Sequence, residues 1–281
     1  MKKAIFKIAI FGIALAALIG RPVFAAAPTP MPYSWTGFYT GIGFGAGWSG
    51  QAVNFSPNDP AAALLLGGGF LGGEQPVAGG YRVSQSGAVG GFAAGYSWLA
   101  GSNWLWGLET DFSFSGMSGR ATSPASFVQN PSTQSAAAAQ STDWYGTVRA
   151  RAGWLATPNL LLFGTGGFAY GRTNASATYT DSGINFGASV HALSSFLCTS
   201  DITCFAGSTS AVRTGWTAGG GVEWLLDRHW SAKIEYQFVD LGTQTVRVTA
   251  LVPVTGDPTS SFNAAIRDQF NVVRVGLNYR F

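Results

Sequence analysis

Charged side chains are scarce in this chain: Asp, Glu, Lys and Arg make up 10% of it, against about a quarter in ordinary soluble domains. Too few remain to wet the whole exterior of a conventional globule. Cysteine and histidine are scarcer, with two of each, which excludes a disulfide-built scaffold and leaves no Ser and His constellation for nucleophilic catalysis. Long apolar runs are missing beyond the N-terminus, because Gly, Ser, Thr and charges interrupt every one. Helical insertion into a membrane is thereby excluded. What the chain does have is Gly, 39 residues, and aromatic side chains, 14% of the total. Low-complexity coil, a soluble β-sandwich and a membrane β-barrel share that composition, so periodicity has to choose among them.

The first residues carry Lys2, Lys3 and Lys7, an apolar run from Ile8 to Ile19, then Arg21, Pro22 and the small residues Ala25, Ala26 and Ala27. This pattern predicts a secretory signal peptide over residues 1–27, cut after Ala25 or Ala27, with a barrel domain over 28–281. The run is about twelve residues long, short of the roughly 20 that a spanning helix needs. Removing the signal takes four of the 16 basic residues and leaves 12 against 13 acids. The mature chain is near neutral, and its basic pI gives no reason to expect nucleic acid as a partner.

Eight segments alternate with a period of two residues. In Asn103 to Gly116, Trp104, Trp106, Leu108, Thr110, Phe112 and Phe114 share one face, and Leu105, Gly107, Glu109, Asp111, Ser113 and Ser115 the other. One face suits lipid and the other a polar interior; helical spacing would scatter both sets. In Thr142 to Ala156, Trp144, Val148, Ala150, Ala152 and Trp154 oppose Asp143, Tyr145, Thr147, Arg149, Arg151 and Gly153. Counting back from Phe281 places Tyr279, Leu277, Val275 and Val273 outward and Arg280, Asn278, Gly276 and Arg274 inward. Trp230 to Gly242 and Val212 to Leu226 follow the same rule, turning Lys233, Glu235, Arg213 and Glu223 inward. Thr36 to Trp48, Ala88 to Leu99 and Leu160 to Gly171 are poorer in charge. In the first of these Gly41, Gly43, Gly45 and Gly47 form a bare face that leaves room for long side chains from other strands.

Short turns at Ala100 to Ser102, Thr157 to Asn159 and Asp227 to His229 alternate with long stretches at Gly50 to Gln85, Met117 to Ser141, Asn174 to Ser210 and Thr243 to Arg267. Eight strands with that alternation predict an all-β fold, an eight-stranded antiparallel transmembrane β-barrel with long extracellular loops and both termini in the periplasm. Slipping one strand by a residue would expose its inward charges to lipid, at about 2 to 4 kcal/mol for each midplane Arg. The interior then gathers Glu109, Asp111, Glu223 and Glu235 with Arg149, Arg151, Arg213, Lys233 and Arg274. Eight strands enclose a space that side chains just fill, so a charge-paired plug is expected in place of an open pore.

The run Trp35, Thr36, Gly37, Phe38, Tyr39 with Gly41, then Gly107, Leu108, Glu109 with Asp111, and Asp143 to Arg149 with Arg151, resembles the outer-membrane immunogenic protein family of small porin-like barrels. So do Thr214 to Thr217 with Glu223, Lys233, Glu235 and Tyr236 with Asp240 to Gly242, and Val273 to Phe281. The resemblance covers essentially the whole mature chain. It implies residence in the outer membrane, with outer-membrane lipid as solvent and insertion by the assembly machinery that reads a C-terminal strand ending in an aromatic residue, here Phe281. Relatives described as surface antigens, envelope-integrity proteins or haem binders imply host or surface ligands for the loops; no residue-level haem site is present here, and no cofactor is expected.

Cys198 and Cys204 fall in the third long stretch of an exported chain, which favours a disulfide closing a small local loop. A metal site of these two with His191 is the weaker reading, because the cysteine spacing is wrong for one. The inward carboxylates and cations are read as structural packing, with a permeation path as the alternative, and no enzyme is expected. The run Ala61 to Phe70, with Leu64, Leu65 and Leu66, is unusually apolar for a loop and is expected to fold over the barrel mouth, with a contact surface for lipid or a partner as the alternative. A soluble lipocalin-like carrier, its apolar face turned inward, is the remaining competing reading.

Overall fold

In the computed structural model, residues 34–60, 62, 82–122, 126–127, 133–181, 202–251 and 260–281 are described. The chain divides into residues 1–32 and 33–281; the expected signal peptide and its cleavage site lie outside the described residues. Eight long strands dominate: β1 (Gly37–Pro57), β2 (Arg82–Ala100), β3 (Trp104–Thr122), β5 (Thr133–Thr157), β6 (Leu160–Asp181), β7 (Ile202–Leu225), β8 (Trp230–Ala250) and β9 (Ser261–Arg280). The two-residue β4 (Ser126–Phe127) only extends the edge of β5. Each long strand pairs antiparallel with its neighbours, and β1 with β9 and β3 with β5 complete the ring. Closure gives every long strand a partner on both sides, with a break in the β7–β8 ladder between Ala206 and Trp216. The final residue takes part, since the Phe281 N–H donates to the Phe38 carbonyl at 3.0 Å.

Tight turns set the short connections. Gly101 adopts φ +73°, a left-handed conformation that other residues rarely take, between β2 and β3. Between β7 and β8 the Asp227 carboxylate accepts from the N–H groups of His229 (2.7 Å) and Trp230 (2.8 Å). Those two donors hold its carboxyl below the usual carboxylate range.

The outward face of the turn-side half is apolar, with Phe38, Ile42 and Phe44 on β1, Leu108 and Phe114 on β3, and Ile234 on β8 all exposed. On β3 the band runs from Trp104 to Phe114, which at about 3.4 Å per residue and a tilt near 40° spans about 25 Å of the axis, the height of a lipid-facing belt.

The strands are 19 to 25 residues long, whereas a membrane crossing needs about 9 to 11. The long stretches expected as loops are therefore partly ladder: Gln51 to Pro57, Ser118 to Thr122, Asn174 to Asp181 and Thr243 to Ala250 continue their strands. Outside lipid, strands need no strong apolar face, so small and polar residues such as Ala136, Ser176 and Thr178 pair with little sequence contrast. Bulges accompany the extension. One is recorded between Phe114 and Met117, another at Thr142/Trp144, and a third at Asp240/Thr243, where Gly242 takes φ +85°. Each extra residue bends its strand, and those in β5 and β8 also reverse which parity points inward.

Candidate functional site

The interior is stacked in tiers that can be read along β9. From the turn end come Arg280, Asn278 and Arg274, then Val272 and Phe270, then Asp268, then Ile266, Ala264 and Phe262, all buried. The other strands contribute in step. An apolar base of Trp35, Leu105, Leu155, Leu161, Phe163 and Leu225 closes the turn end. Above the charged tier lies an apolar one with Met117, Tyr145, Val239 and Phe270. A polar tier follows, in which Thr173 donates to Asp268 (3.0 Å) with its hydroxyl 3.2 Å from the Gln244 amide, and Gln140 also donates to Asp268. An apolar cap built from Val53, Ala136, Ala177, Phe205, Val246 and Ile266, among others, fills the loop-side half.

The charged tier is a closed network. The Arg149 guanidinium is in close contact with Glu109 and Glu235, lies 3.0 Å from Asp111, and donates to Thr165 at 3.0 Å. Lys233 bridges Glu109 at 3.0 Å and Glu235 at 3.7 Å. Arg274 spans Asp111 and Glu235, each at 3.1 Å. Arg151 contacts Glu223 closely and lies over the Phe163 ring, 4.0 Å from its centroid. Every carboxylate in the tier thus meets at least two cations, and all of these side chains are buried. Desolvation of so many charges is repaid only because each is paired and hydrogen-bonded.

Polar side chains lie over the bare glycine face of β1, where a Cβ on Gly41 would meet the Asn278 side chain and one on Gly43 would stand 3.9 Å from the Arg274 Cδ. Glycines on the neighbouring strands leave the same kind of room: a Cβ on Gly276 would stand 3.2 Å from the Lys233 Cγ, and one on Gly95 2.5 Å from the Tyr39 ring. The cavity in this region, bounded by Gly41, Gly43, Gly91, Lys233 and Arg274, holds about 10 Å³, about one water's worth of space.

Eight of the nine charged residues expected in the lumen meet in this tier. Arg213 does not. It sits higher, 3.5 Å from Asp268, and donates to the carbonyls of Leu241 (3.4 Å) and Thr243. There the β7 and β8 partners jump from Ala206–Thr249 to Trp216–Asp240, so the guanidinium takes β8 carbonyls that the interrupted ladder leaves over. Asp143 is also displaced from its expected face: it is the residue in excess at the β5 bulge and points outward, 3.7 Å from Arg172.

Two members of the tier escaped the sequence reading. Arg280 pairs with Glu223 at 3.1 Å and donates to the Trp35 carbonyl at 3.1 Å, while the Tyr39 hydroxyl donates to Glu109 at 2.8 Å. Arg280 lies on a predicted inward face and Tyr39 shares the parity of the bare glycine face of β1, and that parity is the available signal. Phe281 points outward and is 78% exposed. Cys198, His191 and the side chain of Cys204 lie outside the described residues, so the expected disulfide does too; the Cys204 backbone belongs to β7. Of the run Ala61 to Phe70 only Ala62 is described, and it is buried in the apolar cap. No cluster of potential metal ligands occurs among the described residues.

The family described as outer membrane protein beta-barrel domain matches residues 12–281. The 31 kDa outer-membrane immunogenic protein of Brucella melitensis biotype 1 is 34% identical over 261 residues, covering 91% of this chain and 89% of that protein. A protein of the same name from Brucella suis biovar 1 matches equally. Among solved structures, the outer membrane protein OprG of Pseudomonas aeruginosa aligns over 88% of this chain and 96% of its own, at 12% identity and a TM-score of 0.43.

Proposed function

The chain belongs to the outer membrane protein beta-barrel domain family and resides in the outer membrane, and from that premise we propose that it is a non-conducting, non-catalytic pedestal that presents its loop-side half to molecules outside the cell. The observation that carries this reading is the stack of five tiers, whose charged layer is a closed network of buried ion pairs. A hydrated ion would have to break that network to pass.

Three further features support the reading. The described strands extend about twice as far as the bilayer requires, which carries their loop-side ends well clear of lipid. Opposite charges in the lumen engage each other, leaving no lumen carboxylate unpaired among the described residues. The curated relatives are named immunogenic, as suits a protein with an exposed outer face.

Planar-bilayer recording of the refolded protein tests the plug. We expect no steady conductance from wild type. Stable channels whose ion selectivity changes in Arg149→Ala or Glu109→Ala would replace the pedestal with a narrow porin.

A further inference from the structure

On the outer surface, just beyond the apolar belt, lies an open trough of about 630 Å³ across β3, β5, β6 and β7. Its floor is built from Ser118, Ser141, Asn174, Ser176, Ser208 and Ser210, all small or amide side chains, with Arg120 at one end. Pairing aligns them in two rows across the strands: Ser118, Ser141, Asn174, Ser210, and above it Arg120, Ala139, Ser176, Ser208. The bulges at Phe114/Met117 and Thr142/Trp144 bend neighbouring ladders at the foot of these rows. That bend, with the small side chains, hollows a face that would otherwise be convex.

Charge and apolar surface both adjoin it. Among the described outward residues of the loop-side half, five are cations (Arg82, Arg120, Arg172, Arg247, Arg267) and two are carboxylates (Asp143, Asp240), an excess of three positive charges. The guanidinium groups of Arg82 and Arg120 make no hydrogen bond or ion pair among the described residues, whereas Arg172, at the lower edge, donates to Ser210 at 3.2 Å and lies 3.7 Å from Asp143, to which Asn174 donates at 2.8 Å. Directly below runs a rail of rings on the lipid face. Phe92, Phe112, Trp144, Tyr170 and Phe168 follow one another with centroids 5.4 to 6.2 Å apart.

We propose that this trough binds a phosphorylated glycolipid of the surrounding outer leaflet, its sugar on the Ser and Asn floor, its phosphate on Arg120 and Arg172, and its acyl chains along the aromatic rail. The vertical order of the chemistry selects this occupant. Arginines take phosphate in paired hydrogen bonds, hydroxyl and amide groups match sugar hydroxyls, and the rings continue into lipid. A volume of this size suits a sugar headgroup. A soluble anion would have no use for the rail, and a protein partner would have none for its depth in the interface.

The test places the folded protein in phosphatidylcholine nanodiscs doped with diphosphoryl lipid A, with the same lipid stripped of phosphate, or with no glycolipid plus inorganic phosphate, and counts bound lipid by native mass spectrometry. Wild type is expected to retain diphosphoryl lipid A and to lose about tenfold in occupancy when the phosphates are absent, the worth of one charge-assisted contact. Arg120→Ala with Arg172→Ala should lose at least as much, and Ser176→Trp, which fills the trough, should block retention. Arg247→Ala, on β8, should leave it unchanged; heat-modifiable migration confirms that each variant is folded. Equal retention by the double variant overturns the site, as does equal loss in Arg247→Ala. Displacement of the lipid by inorganic phosphate, or cross-linking of two copies through Ser208→Cys, overturns the assignment to a membrane lipid.

Discussion

The two halves of this barrel are built with opposite polarity. Around the charged tier, Glu109, Arg149, Lys233 and Arg274 are buried while Leu108, Val148, Ile234 and Val275 are exposed. Around the cap, Val246, Val248, Ala264 and Ile266 are buried while Thr245, Arg247, Asn263 and Arg267 face out. One set of strands runs through both halves, so backbone and pairing cannot explain the inversion. The surrounding medium can. Lipid has no use for polar groups and drives them inward, where they must satisfy one another; water takes polar groups back and drives apolar ones in.

The largest expected effect comes from the charged core. Arg149→Ala strips Glu109, Asp111 and Glu235 of a shared partner, and removing one member of a buried network costs about 3 to 5 kcal/mol. Urea unfolding in detergent followed by tryptophan fluorescence should show that loss, and a variant as stable as wild type would mean that water enters the tier freely. Slightly smaller is Ile266→Ala in the cap, at about 2 to 4 kcal/mol. Because it touches only the loop-side half, hydrogen exchange should rise across Val246 to Ala250 and Phe262 to Ile266 and stay flat at Lys233 to Gln237.

Placing one charge outward on each half separates the two media. Leu108→Arg faces lipid near mid-height and should cost about 2 to 4 kcal/mol, whereas Thr178→Arg, facing water, should stay within about 0.5 kcal/mol. Comparable costs at both positions would remove the boundary between the halves. Smaller again is Arg213→Ala, which frees the β8 carbonyls at the interrupted ladder; exchange should quicken over 207–215 and 241–248, with a stability loss of about 1 kcal/mol.

The smallest effect is a pH response confined to the upper half. Burial pushes the Asp268 carboxyl up from its ordinary 3.8, outweighing the hydrogen bonds from Gln140 and Thr173 and the charge of Arg213. The folded state therefore holds that proton more tightly than the unfolded chain does. The loop-side half should lose a little stability as pH rises from the ordinary aspartate value through the raised one, and regain it on acidification. Asp268→Asn should flatten that dependence in the exchange rates of its neighbours. A slope of the opposite sign would show the ion pair with Arg213 to dominate.

Legibility in sequence followed the strength of contrast between faces. The turn-side half was readable because Trp106 beside Glu109, or Val148 beside Arg149, leaves no doubt about which medium each residue meets. Where Ala137 alternates with Ala138, or Thr178 with Ala177, the same alternation carries almost no signal, and by sequence those ladders are indistinguishable from loops. Bulges hid the rest. One extra residue at Asp143 turned an expected lumen carboxylate outward, and the step at Gly242 reversed the parity of upper β8. Arg213 kept its inward face yet missed the charged tier, because facing inward says nothing of height along the axis.

Strand number, closure order and the inward set of charges near the turns were already present in the order of residues, because a period of two and a lipid exterior admit one parity for each strand. Partners, heights and the inverted upper half came only with the closed ring. Register between strands as distant in sequence as β3 and β8 is set by shear around the barrel, and that sum over all eight pairings, bulges included, brings Lys233 to Glu109 and leaves Arg213 to Asp268.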